Sequence, residues 1–373
     1  MLLIKNGTVH VGNGDLYDNC DVLIKGGKII SVERDIICED AEIIDASGMD
    51  VFPGFIDPLN STGSQDKTFS IKDTNETSSP VTLNADIKYA FNPDEIMMEE
   101  LYKVGITSIG AAPGSSNVIS GKMAAFRTYG YNINKMLIKE YVGLKGSVSK
   151  SVKETYGKRK VMPMTKMGIF SMLQNTLRND IEGAEKEVMD KVLNKQVPLF
   201  ITANTKAEID ALINIVKDYD LKLVICNAYQ AERCIDSIKQ INASVIMGEQ
   251  VYLSKNVYNN IDLSKLVDMK TGNNQISFTV TGDYGPSGKV KYLWNVARLY
   301  QAGIDSEEVV KMMTLYPAQM LGIDETVGTI EVEKDADIAI YSNNPIKYYD
   351  AKNKYTIIQG KIVYKEGGCE KCC

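Results

Sequence analysis

From Val197 to Gly303 the chain alternates short apolar runs with longer amphipathic ones, and this rhythm constrains its fold more than any other feature. VPLFITA, LKLVICNA, ASVIMG and ISFTVTGD read as strands, whereas TKAEIDALINIVKDY, AERCIDSIKQI and GKVKYLWNVARLYQAG read as helices. Strands that alternate with helices of this length predict βα units and a parallel sheet. Upstream, VFPGFID is a buried strand and VGITSIGAAP another. Asn92-Pro93-Asp94-Glu95 opens a helix through Leu101 and Tyr102, and a longer helix is predicted from Thr165 to Asn194. About eight strand candidates in about 270 residues favour a closed (β/α)₈ barrel over an open sheet.

The two chain ends follow a different pattern. LLIKNGTVHV, DVLIKGGKIISVE and AEIIDASGMDVF at one end, and TIEVE, ADIAIYS and YTIIQGKIVYKEG at the other, are short β-rich segments. Neither set is enough to bury a core alone. Residues 1–52 and 327–373 are therefore expected to form one composite β-sandwich, with a barrel of residues 53–326 inserted between them. The fold class is α/β.

Composition excludes several functions. Lys+Arg 42 against Asp+Glu 48 gives a net charge of −6 without a large basic block, which argues against nucleic acid as a partner. No run of 18 apolar residues exists, so no membrane span is expected, and the N-terminus lacks the charged and apolar regions of a signal peptide. The 7 cysteines are odd in number and scattered, which fits a reducing cytoplasm. Cys369, Cys372 and Cys373 cluster near the C-terminus without a nearby histidine, a weak basis for a metal site. There is 1 histidine, His10, within the first β-rich segment. It reads as a structural residue, and a site built from several imidazoles is excluded.

Specific segments then carry a resemblance. IKNGTV, DVLIKGGKIISV, VFPGFID, APGSSNVISGK, VTGD followed by Tyr-Gly-Pro, and LYPAQMLGIDETVGTIEVEKDADIAIYSNNP with IIQGKIVY are similar to the amidohydrolase superfamily, and within it to the imidazolonepropionase-like amidohydrolases. The resemblance implies a (β/α)₈ barrel carrying a β-sandwich built from both termini. It also implies a metal centre whose ligands can be sought one by one. The His-x-His pair expected after the first barrel strand falls on Leu59 and Ser61. The histidines expected on the fifth and sixth strands fall on Thr202 and Asn227. A bridging Lys or Glu near the fourth strand falls near Leu144 and Lys145. The acid of the eighth strand is retained as Asp283. Hydrocarbon, hydroxyl and amide make poor replacements for imidazole, and one carboxylate does not hold a divalent ion. Without a metal, nothing lowers the pKa of the hydrolytic water. The expectation is therefore no metal and no cofactor.

Barrel enzymes work at the C-terminal ends of their strands. Asn60, Ser61, Thr202, Asn204, Asn227 and Tyr284 are the candidate ligand-binding residues there, although the same polar groups could be satisfying backbone at strand ends. Asp283 reads either as a general base or as the N-cap of the helix that follows. Gly114, Ser115, Ser116 and Asn117 could cradle an anion, but the spacing is not that of a P-loop and a structural loop is favoured. The polar stretch Ser61–Ser79 is expected to be a mobile loop over the barrel mouth. The functional expectation is a cytoplasmic, metal-free and catalytically degenerate hydrolase of carbon–nitrogen bonds other than peptide bonds. If active, it would cleave cyclic amides with little or no dependence on metal. The alternative is a non-catalytic binding or regulatory module that partners an active relative. A small molecule at the barrel mouth and a second copy of the chain are the partners this reading allows.

Overall fold

The computed structural model describes residues 1–66, 71–178, 182–248, 265, 274–279 and 286–367. Two sheets organise them. The first joins β1 (Leu2–His10), β2 (Leu16–Lys25), β3 (Lys28–Glu33), β4 (Glu42–Asp45) and β5 (Asp50–Pro53) to three strands from the other end of the chain. The second holds β6 (Phe55–Asn60) and β9 (Ile106–Ala111) to β15, while β7 (Gln65–Asp66) and β8 (Ile71–Lys72) form a separate small hairpin between them in the chain. The later members of the second sheet are β10 (Ile119–Arg127), β11 (Leu137–Ser147), β12 (Leu199–Thr202), β13 (Leu223–Cys226), β14 (Ser244–Met247) and β15 (Ile276–Phe278). The chain closes with β16 (Ile338–Tyr341), β17 (Asn353–Ile358) and β18 (Lys361–Lys365).

The terminal sheet has the order β18-β17-β16-β5-β1-β2-β3, with β4 pairing β1. The two chain ends meet at β5 and β16, as their composition predicts. Residues 27–29 hydrogen-bond to residues 333–336 and bring β3 round to the approach of β16. Ile4, Val9, Val22, Ile24, Val51, Ile338 and Ile340 are packed inside the curl. TIEVE departs from expectation. Thr329–Glu333 forms no strand but an irregular connector held to β1 and β3 by Ile330 N–H on Val11 O and Glu333 N–H on Ile29 O. Glu333 lies in the left-handed region at φ 72°, which no regular strand tolerates.

The barrel sheet has the order β15-β14-β13-β12-β11-β10-β9-β6, and Thr279 Oγ1 closes the circle by donating to Leu59 O at 2.6 Å. It differs from eight parallel βα units in one place. β10 runs antiparallel to both β9 and β11, while the remaining pairs are parallel. Chain length explains the reversal. Residues 112–118 and 128–136 are the two connections, and both are shorter than the dozen or so residues a parallel crossover needs. The long helix expected from Thr165 is divided into Lys166–Leu177 and Ala184–Leu193. Gly183, at φ 70°, caps the second of these.

Ile56, Met123, Val142, Phe200, Val224 and Ile246 fill the barrel interior, and Leu59 and Cys226 belong to the same apolar cluster. The terminal sheet seals one side. Thr356 Oγ1, Tyr341 OH and Asn353 Nδ2 donate to the carbonyls of Tyr102, Val104 and Lys103. Among the described residues no helix is long and apolar enough to cross a membrane.

The single histidine marks this junction. His10 is buried and stacks on Phe52 with ring centroids 4.2 Å apart. Nε2 lies 2.8 Å from Asp50 and Nδ1 2.9 Å from Glu307, on the barrel helix Ser306–Met313. Burial lowers the imidazole pKa, but the hydrogen bonds to Asp50 and Glu307 outweigh it and leave the value above 6.5. A raised folded value means that this clamp stabilises fully below pH 6.5 and weakens as pH rises through the folded value. His10→Gln is therefore expected to cost more stability at pH 6 than at pH 9. Urea unfolding at the two pH values checks this, and an equal loss at both would refute it.

Candidate active site

Eight strand ends converge at the C-terminal mouth, and the polar candidates divide there into two groups. The first belongs to β6 itself and the turn that follows it. Asp57 is buried and accepts the Leu59 N–H at 3.1 Å and the Asn60 Nδ2 at 2.8 Å. Asn60 Oδ1 in turn accepts from Thr62 N–H at 2.7 Å. The Asn60 side chain is thus occupied at both ends in shaping the turn. Ser61 Oγ accepts from Gln65 Nε2 at 2.9 Å.

The second group lies across β11, β12 and β13. Thr202 ends β12 opposite Cys226, the last residue of β13. Beyond Thr202 the chain enters a capping box, in which Thr205 and Glu208 bond each other's backbone at the start of the helix Lys206–Val216. The Glu208 carboxylate also accepts the Asn204 N–H at 2.9 Å. This holds Asn204 so that its Nδ2 donates to Asn227 O at 2.9 Å. Asn227 itself sits at φ 51°, and its Oδ1 is buried without a hydrogen-bond partner among the described residues. A Cβ on Gly248 would lie 2.6 Å from that oxygen, so only glycine fits beside it.

Lys145 of β11 stands at the centre of this group. Its side chain is fully buried, and Nζ donates to Thr202 Oγ1 at 2.7 Å, Gly146 O at 2.6 Å and Ser115 Oγ at 3.3 Å. Ser115 Oγ and Thr202 Oγ1 lie 3.0 Å apart. Among the described residues no carboxylate pairs with the ammonium. Burial pushes its pKa down from 10.5 to about 8, with the neighbouring Cys226 acting weakly in the other direction. The Cys226 thiol is pushed up to about 12 by burial and stays protonated.

Ser115 lies on the β9–β10 loop. Gly114 N–H and Ser116 N–H donate to Thr74 O and Asn75 Oδ1, so these amides are spent on structure and do not cradle an anion. Asn117 Nδ2 donates to Glu76 O at 2.5 Å, while its Oδ1 accepts from Tyr156 OH at 2.7 Å. The segment Thr74–Glu76, part of the polar stretch expected over the mouth, thus lies against this loop. Asp283 and Tyr284 fall outside the described residues, as do Cys369, Cys372 and Cys373.

In the sequence Lys145 is legible only as a neighbour of an expected bridging position, and Ser115 only as part of a candidate anion loop. The available signal was a lysine inside the apolar run VGLKGSV, where burial demands a reason.

The described residues at the mouth offer little to a divalent cation. Leu59 belongs to the apolar packing, Thr202 Oγ1 is engaged by Lys145 and Ser115, and a buried ammonium lies among the neutral oxygens. Among the described residues no three His, Cys, Asp or Glu side chains gather as metal ligands. A separate cleft of about 700 Å³, lined by Trp294, Tyr300 and Tyr348 among others, lies between the helix Pro286–Gln301 and residues 345–352 and includes none of these strand-end residues.

Comparison with known proteins agrees with this architecture. Residues 289–364 match the model of the Amidohydrolase family. An amidohydrolase from Thermotoga maritima MSB8 superposes with a TM-score of 0.87 at 25% identity, covering 98% of this chain and 100% of that one. A molinate hydrolase structure superposes with a TM-score of 0.61 at 11% identity over 97% of this chain and 94% of that one. Among curated sequences, a dihydroorotase from Streptococcus pneumoniae serotype 4 is 51% identical over 57 residues, and one from Aquifex aeolicus is 45% identical over 56. These matches span 15% of this chain and only 14% and 13% of the dihydroorotases. The chain belongs to the amidohydrolase superfamily.

Proposed function

We propose that this chain is a metal-independent member of its superfamily, which takes a small polar amide at the barrel mouth and acts on a carbon–nitrogen bond other than a peptide bond. The observation that carries this reading is Lys145. Its ammonium is buried among Thr202, Ser115 and Gly146 with no carboxylate beside it among the described residues. A cation held there repels a second cation and attracts a ligand carbonyl or anion. The orphaned Asn227 Oδ1 supplies an acceptor for an amide N–H on the same face.

Elemental analysis of protein made without a histidine tag tests the reading. Less than about a tenth of an equivalent of zinc, manganese or iron per chain is expected, and chelation should leave the melting temperature unchanged, since ligand loss of this extent exceeds the 10–100-fold affinity cost of outer-shell changes alone. One equivalent of metal, released by Thr202→Ala, would overturn it. The enzymatic arm is read by incubating the metal-free protein with a panel of small cyclic amides and following ring opening by mass spectrometry.

A further inference from the structure

We infer that Ser115, Thr202 and Lys145 form a serine–lysine relay, with Ser115 as the acyl-accepting nucleophile at the barrel mouth. The inference rests on the metal-independent reading above and supplies its chemistry.

Geometry carries it. Ser115 Oγ lies 3.0 Å from Thr202 Oγ1 and 3.3 Å from Lys145 Nζ, and Lys145 Nζ lies 2.7 Å from Thr202 Oγ1. Three side chains from three separate elements thus form a closed triangle of hydrogen bonds. Such an arrangement meets the requirement for an activated nucleophile, a base within reach and a third group to orient it. Ser115 is the member of the triangle nearest solvent, being half-buried, whereas Lys145 and Thr202 are buried beneath it. A ligand entering the mouth therefore meets the hydroxyl first and the amine stays dry.

The loop that presents Ser115 is braced on both sides. Gly114 is tied to Thr74 at 2.6 Å, Ser116 to Asn75 at 3.1 Å, and Asn117 to Glu76 and Tyr156. A Cβ on Gly114 would lie 2.4 Å from Asn75 Oδ1, so the close approach of the two segments depends on that glycine. A nucleophile fixed in this way loses little entropy on reaction.

Lys145 has the properties of a base in this position. No carboxylate among the described residues holds it charged, and burial lowers its pKa to about 8. A substantial neutral fraction therefore exists at mildly alkaline pH.

The chemistry balances with water as the only co-reactant. Ser115 Oγ adds to the amide carbonyl carbon while its proton passes to the neutral Lys145 amine, directly or through the Thr202 hydroxyl. The new ammonium gives that proton to the leaving nitrogen as the C–N bond breaks, leaving an ester on Ser115. Water then attacks the ester, losing its proton by the same route, and releases a carboxylic acid with Ser115 restored. The substrate class is a small amide or lactam whose carbonyl can approach Ser115.

The test uses a fluorophosphonate probe on the full-length, untagged chain, with intact mass and peptide mapping as readouts. One adduct per chain is expected, on Ser115, forming faster as pH rises with a midpoint near 8. Ser115→Ala should abolish it and Ser116→Ala should keep it. Lys145→Met should slow it about 100-fold or more, the usual contribution of a positioned base. Thr202→Val should slow it, and Thr202→Ser should restore most of the rate. Near-UV circular dichroism confirms that each variant is folded. Labelling at Ser116 or elsewhere, no labelling of folded wild-type protein, or labelling of Ser115 that ignores Lys145 would each overturn the relay. Metal-free protein that does not label removes the relay and leaves the metal-independent reading standing, whereas a stoichiometric metal removes that reading itself.

Discussion

Replacing Arg127 with leucine is expected to destabilise the folded chain by about 3–5 kcal/mol, the usual cost of stripping one partner from a buried ion pair. Arg127 ends β10 and is buried where the barrel meets the terminal sheet. Its Nη2 donates to Asp335, and its Nε lies 3.6 Å from Asp337 Oδ2. Lys28 of β3 bonds the other oxygen of Asp335 at 2.6 Å, and Asp337 Oδ1 accepts the Gln359 N–H at 2.7 Å. One guanidinium therefore ties the barrel to the C-terminal end of the chain, and through Asp335 the tie extends to Lys28 of the N-terminal end. Its removal leaves two carboxylates in a dry interface, with Lys28 the remaining cation paired to them among the described residues. The loss should depend on pH. Burial pushes the Asp337 carboxyl up to about 6, against the opposing pull of Arg127. A folded value above the ordinary 3.8 means that the folded state holds this proton more tightly, so the group adds stability as pH falls from 6 towards 4. Protonated Asp337 needs no counter-charge, and the variant's deficit should shrink between pH 7.5 and pH 5. Urea unfolding at both values decides the matter. A deficit below about 1 kcal/mol, the worth of a surface pair, would show that the clamp is not energetically buried.

That clamp also marks where the sequence alone stops being legible. The DADIAIY run identified Asp335 and Asp337 as part of a recurring segment, but not their partner, which lies more than 200 residues away in the chain and becomes a neighbour only when β10 turns back. The strands from Leu199 to Phe278 and the joining of the chain ends were readable because apolar periodicity and burial coincide there. The reversal of β10 was not, since β11 is interrupted by Lys139, Glu140 and Lys145 and reads poorly as a strand. The same interruption concealed the candidate site. Attention to missing histidines pointed to Thr202 and Asn227, and both lie at the mouth. It reaches Lys145 only as a neighbour of the bridging position, because a pattern of metal ligands shows which donors are lost and not that a buried ammonium bonded to Thr202 and Ser115 stands in their place.

Lys145→Met is expected to make the protein more stable at pH 7, by about 3 kcal/mol, while removing the reactivity of Ser115. The sign follows from linkage. Burial lowers the Lys145 pKa from 10.5 in the unfolded chain to about 8 in the folded one. Between those values the unfolded chain binds the proton that the folded chain gives up, so wild-type stability rises with pH across this window. Below about pH 8 the full cost of burying the charge is present; above 10.5 both states are neutral and the cost is gone. Methionine has similar length, carries no charge and packs readily in irregular spaces, and Ser115 and Thr202 remain within 3.0 Å of each other to share a hydrogen bond. The variant should therefore gain most below pH 8, gain progressively less between pH 8 and 10.5, and converge with wild type above that. Denaturation across this range provides the measurement, and a variant less stable than wild type at pH 7 would show that the ammonium supports the fold. A stable, unreactive variant would instead place Lys145 among residues kept at a cost to folding, and among the described residues the side chains it hydrogen-bonds are the two hydroxyls of the relay.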